Sequence, residues 1–148
     1  MRHLLNRYPC LKMTVTQILL VQNSWRLLRD LDPQLVGSLF YSKLFFEHPE
    51  MRKLFPADMT EQQEKLIGKF NLIFARLDHL QDLLPEIEAL SKRHVTYGVK
   101  PEHYAAVGSA LLWTLERGLG DDWTPKVAQA WQVCYEVLST TMIQASGQ

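Results

Sequence analysis

Apolar residues recur along the chain three and four positions apart, and short polar breaks interrupt them. That spacing puts the apolar side chains on one face of a helix. It predicts helices at roughly 15–30, 33–47, 49–55, 60–78, 85–97, 101–117 and 125–145. Pro33, Pro49, Pro85, Pro101 and Pro125 each precede or open such a segment. Proline suits a first helical turn, because its missing N–H would have no partner there. Asp32 and Thr124 stand as N-caps in front of two of these prolines. Thr60 with Gln63 has the spacing of a capping box. Connections are short except around 79–84, and there are no alternating runs bounded by hairpin turns and no internal repeat. An all-α chain of about seven unequal helices follows, with one short segment after Pro49. An irregular helical fold built around something fits better than an up-down bundle.

Three polar residues interrupt the apolar faces. Ile87, Leu90, His94 and Tyr97 form a narrow stripe on the helix at 85–97, with His94 where a leucine is expected. On spacing alone, such a histidine is more often a core residue held by a hydrogen bond than a metal ligand. Gln62 heads the stripe Leu66, Phe70, Ile73 and Leu77. It reads either as the exposed start of the helix or as an amide with two donors aimed into a cavity. Gly37, Tyr41 and Phe45 share one row of the helix at 33–47. There Tyr41 is ordinary aromatic packing, with a hydroxyl that needs a partner if buried, and Gly37 permits a close helix crossing.

Composition narrows the function. The 148 residues suffice for one domain, and 47% apolar content can fill a real core. Sixteen basic residues balance sixteen acidic ones, so no basic face for nucleic acid is indicated. No apolar stretch is long enough to cross a membrane, and Leu4–Leu5 is far too short for a signal-peptide core. Residues 1–12 are read as an N-terminal tail, 13–148 as the folded domain, and the cytoplasm as the location. Cys10 and Cys134 are too few for a disulfide scaffold, and the histidines form no H-E-x-x-H pair.

The segments FYSKLFFEHPEMRKLF (40–55) and KRHVTYGVKPEHYAAVG (92–108) bring these features together. The first resembles single-domain bacterial globins and the haem domain of flavohaemoglobins, and the second resembles the same family's proximal segment. The similarity runs from about residue 15 to residue 145. It implies a globin fold holding haem b, with His94 as the proximal iron ligand. Phe55 falls on the phenylalanine that wedges against the haem face, and Leu66 on the apolar residue over the iron. Tyr41 and Gln62 fall on the two distal polar positions. Val99 and Val107 fall on positions that pack the haem edge and proximal face. Tyr104 matches a tyrosine near the proximal histidine, and Trp131 a packing tryptophan of the last helix.

The implied chemistry is reversible binding of oxygen, with nitric oxide and carbon monoxide as further ligands, for storage, transport or sensing. Distal donors would hold oxygen tightly and leave the sixth iron position open, since glutamine ligates iron poorly. Tight holding also suits nitric oxide dioxygenation to nitrate, the reaction for which flavohaemoglobins are known. The sequence has no G-x-G-x-x-G, so turnover would call on an external reductase. Flavohaemoglobins also place a glutamate near the proximal histidine, where alignment through Trp131 puts Ser146. Without that carboxylate, His94 is expected to push less electron density to the iron. A haem-free helical interaction module is the third alternative.

Overall fold

A computed structural model describes residues 12–147, and among them every regular element is helical. Six α-helices carry the fold: α1 Val15–Arg29, α2 Pro33–Glu47, α3 Thr60–Ala75, α4 Leu84–Thr96, α5 Pro101–Leu119 and α6 Pro125–Ser146. Three 3-10 segments, Pro49–Leu54, Leu77–Leu83 and Gly120–Asp122, connect them. The expectations for Cys10 and for residues 1–11 fall outside the described residues.

Proline and caps set the helix starts as the sequence suggests. Pro33, Pro49, Pro85, Pro101 and Pro125 all lie in the first turn of their elements. The Asp32 carboxylate accepts from the Gln34 N–H at 3.0 Å, and the Thr124 hydroxyl accepts from Val127 N–H at 3.2 Å. Thr14 and Gln17 form a reciprocal capping box on α1. The box expected at Thr60 is absent. Thr60 is already the first residue of α3, and its N–H donates to the Asp58 carboxylate at 3.0 Å. A carboxylate two residues upstream reaches that N–H and takes over the capping.

Two expected boundaries also move. The helix predicted over 60–78 ends at Ala75, and a 3-10 segment occupies Leu77–Leu83, where a plain connection was expected. Leu77, Leu80 and Leu83 are its buried residues. The segment is not one continuous helix: it kinks at His79, where φ is −131° and ψ is 41°, and the three leucines are buried on both sides of that kink.

The core lies where α1, α2, α5 and α6 meet. Trp131 is fully buried there, edge-on to Phe74 and Trp25, with its N–H donating to the Ser24 hydroxyl at 2.8 Å. Gly37 lets α2 lie against α3, since a Cβ there would stand 2.9 Å from Gln63 Cβ. No helix among the described residues is long and apolar enough to cross a membrane.

Candidate functional site

The helices do not close completely. Between them is a cavity of about 790 Å³, within the range of small-molecule and cofactor sites. Tyr41, Phe55, Gln62, Leu66, His94, Val99, Tyr104 and Val107, the eight residues singled out from the sequence, all line it.

His94 comes from the last turn of α4. Its Nδ1–H donates to the Leu90 carbonyl at 2.8 Å, one turn back in the same helix. The ring thereby holds Nε2 as the nitrogen with a free lone pair. Burial pushes the imidazole pKa below its ordinary value. The Leu90 hydrogen bond opposes that shift and the Arg93 charge adds to it. A neutral imidazole with one nitrogen fixed is what metal coordination requires.

The end of α4 also delivers Val99. Gly98 has a φ of +89°, a left-handed conformation that costs glycine little. Its N–H bonds to Val95 O and that of Val99 to His94 O, both at 3.0 Å. This pair of bonds is a Schellman motif. It folds the chain back over the helix end, so Val99 lies beside the turn that carries His94.

Tyr41 and Gln62 reach the cavity from α2 and α3. The Gln62 amide donates to the Tyr41 hydroxyl oxygen at 3.2 Å. Tyr41 is buried and packs against the rings of Phe40, Phe45 and Phe55. Burial raises its pKa, with the Gln62 hydrogen bond pulling the other way, so the phenol stays protonated. Phe55 is presented by an ordered loop. Arg52 donates to the carbonyls of Phe55, Pro56 and Ala57, and its guanidinium lies over the Phe45 ring.

Tyr104 and Val107 enter from the first half of α5. The Tyr135 hydroxyl of α6 donates to the Tyr104 carbonyl, and the Tyr135 ring lies across Gly108. The lining also includes Lys65, Lys69 and Arg93, three cations that could meet an anionic edge of a ligand.

Tyr97 continues the stripe and lines the cavity with Ile87, Leu90 and His94, though it is 62% exposed because it is the residue at which α4 stops. His103 is half-buried on the lining, and its Nδ1 accepts from the Lys100 N–H at 2.9 Å. Cys134 is a packed thiol, with its pKa raised by complete burial. Met51 and Lys69 carry no sequence signal of their own. They reach the cavity through the fold alone.

A family profile for Globin matches residues 38–142. A flavohemoprotein of Rhodopirellula baltica is 29% identical over 138 residues, covering 87% of this chain and 34% of the relative. One from Bacillus subtilis is 32% identical over 107 residues, covering 70% and 27%. The chain thus spans about a third or less of these curated relatives. Among solved structures, a bacterial globin from Campylobacter jejuni is similar with a TM-score of 0.79 and 23% identity, over 90% of this chain and 96% of that one. An engineered carbene transferase, made from a candidate nitric oxide dioxygenase of Rhodothermus marinus, has a TM-score of 0.82 and 25% identity, over 93% and 95%.

Proposed function

The chain belongs to the globin family, and on that premise we propose that its cavity would hold haem b, with His94 as the residue that would bind its iron. The proposed activity is binding of oxygen, and of nitric oxide and carbon monoxide, for storage, transport or sensing. The observation that carries this is the Nδ1–H bond from His94 to Leu90 O, which leaves Nε2 on a neutral ring lining an otherwise largely apolar cavity.

The residues fit the group in kind as well as in space. Phe55, Leu66, Val99 and Val107 supply apolar walls for a large flat ring. Lys65, Lys69 and Arg93 supply positive charge for its carboxylates. The sequence has no C-x-x-C-H, the pattern that tethers haem covalently, which favours haem b. Haem iron held by one imidazole supplies an open sixth position for a diatomic gas. The Tyr41 proton, not used in the bond its oxygen accepts from Gln62, is the donor available to a ligand that acquires negative charge. A ligand that stays nearly neutral, such as carbon monoxide, would gain little from such a donor.

Absorption spectra of the ferrous, ferric and oxygen-equilibrated protein test the proposal. The expected result is a Soret band, with an open sixth site in the ferrous form. No Soret band after addition of haem would overturn it and favour a haem-free module.

A second reading is supported by the relatives named flavohemoproteins and by the Rhodothermus marinus neighbour. It is nitric oxide dioxygenation with electrons from an external reductase. Nitrate formed over many cycles with nitric oxide, oxygen and a reductase system would support it. One stoichiometric burst without turnover would exclude it.

A further inference from the structure

We propose that Ser91 is a positioning residue that tethers the His94-bearing end of α4 to α6 and so sets the depth and tilt of the imidazole. This rests on His94 being the residue that would hold the haem iron.

Ser91 has no exposed surface, and its hydroxyl donates to the Met142 carbonyl at 2.7 Å across 51 residues of sequence. The other buried serine and threonine hydroxyls behave differently. Ser24, Thr114 and Thr141 all bond carbonyls of their own helix three or four residues back. That local bond is what a serine or threonine in a helix normally makes. Ser91 instead spends its one proton on another helix.

The position of this bond gives it leverage. The buried residues of α4 are Leu84, Ile87 and Ser91, and none follows. Lys92, Arg93, Val95 and Thr96 are exposed, and His94 is half-buried. The last turn of the helix therefore has little apolar packing to hold it, and Ser91 is its last buried anchor. Leu90, whose carbonyl orients the His94 ring, is the adjacent residue. A movement of that turn relative to α6 is passed directly to the imidazole. Met142 takes part twice, since it accepts the tether and also lines the cavity.

Serine is a poorer helix former than alanine. Ser91→Ala therefore improves local propensity, and a loss of function in that variant would point to the bond across helices. The test compares haem-loaded wild type, Ser91→Ala and Thr114→Val. The last removes a buried hydroxyl of similar setting that bonds only within α5. Two quantities are read: the iron–histidine stretching band of the ferrous protein, and the rate of haem transfer to excess apomyoglobin. In Ser91→Ala the band is expected to shift and broaden, and transfer to quicken about tenfold, equivalent to ~1.4 kcal/mol. Thr114→Val is expected to leave both at wild-type values. Unchanged values in Ser91→Ala, or equal changes in Thr114→Val, would overturn the tether. If Ser91→Ala does not load, Ser91→Cys retains a weaker donor and is read the same way: an intermediate shift supports the tether and wild-type values overturn it. Wild type that takes up no haem would instead overturn the reading of His94, and the tether with it.

Discussion

Gln62 donates to the hydroxyl oxygen of Tyr41 at 3.2 Å, and that direction decides what the tyrosine can do. A phenol has a single proton. With its oxygen accepting from the amide and its pKa raised by burial, Tyr41 holds that proton for a third group in the cavity. The rings of Phe40, Phe45 and Phe55 fix its direction.

Tyr41→Phe should therefore speed oxygen release and barely alter carbon monoxide release. A hydrogen bond to a charged partner contributes roughly 1.5–3 kcal/mol, or about 10- to 150-fold in rate. Stopped-flow displacement of oxygen and of carbon monoxide measures both. Gln62→Leu should give a smaller rise. The double variant should fall short of the product of the two, because one residue acts through the other. An oxygen off-rate unchanged in Tyr41→Phe would remove the role given to the pair.

Replacing His94 with alanine should weaken haem binding by more than the roughly 100-fold that loss of a ligand-orienting group costs. Soret titration of the apoprotein measures the loss. Added imidazole should restore part of the wild-type spectrum, since the cavity walls remain. A normal five-coordinate ferrous spectrum in His94→Ala without imidazole would show that another residue holds the iron.

Much of this site was legible in the sequence because helical periodicity converts spacing into a shared face. His94, Gln62 and Tyr41 stood out as polar residues in apolar rows, and the motif resemblance turned three weak signals into one arrangement. What stayed hidden depends on contacts between distant segments. The Ser91–Met142 bond joins residues 51 apart, and no local pattern announces it. The exposure of Tyr97 was hidden too, because periodicity gives the face of a residue but not that the helix ends there, just before Gly98. Thr60 misled because a capping-box spacing does not reveal that Asp58 reaches the same N–H first.

Gly108→Ala should destabilise the fold where α5 crosses α6. A Cβ at Gly108 would lie 2.5 Å from Tyr135 Cε2 and 2.8 Å from Cδ2, so the ring would have to move. Its hydroxyl would then leave the Tyr104 carbonyl beside the cavity. Overpacking of this kind typically costs about 1–3 kcal/mol. Tyr135→Phe, which keeps the ring and loses the hydrogen bond, should cost about 1 kcal/mol. Urea unfolding midpoints compare them, and Gly108→Ala as stable as wild type would mean that the ring has room to shift.

The pH dependence of the apoprotein follows from the direction in which His94 is shifted. Burial lowers its pKa below the ordinary 6.5, so between the two values the unfolded chain binds a proton that the folded one refuses. The stability linked to neutral His94 is then fully present above the unfolded value. It is lost as pH falls through the folded one. Between about pH 8 and about pH 5 the wild-type apoprotein should lose more stability than His94→Leu, which has nothing to titrate at that position. The same protonation would occupy Nε2, so acid should also release haem from the loaded protein. Urea unfolding of both apoproteins across this range provides the comparison. Parallel curves would show that His94 is as easily protonated in the fold as outside it, and would remove the downward shift attributed to its burial.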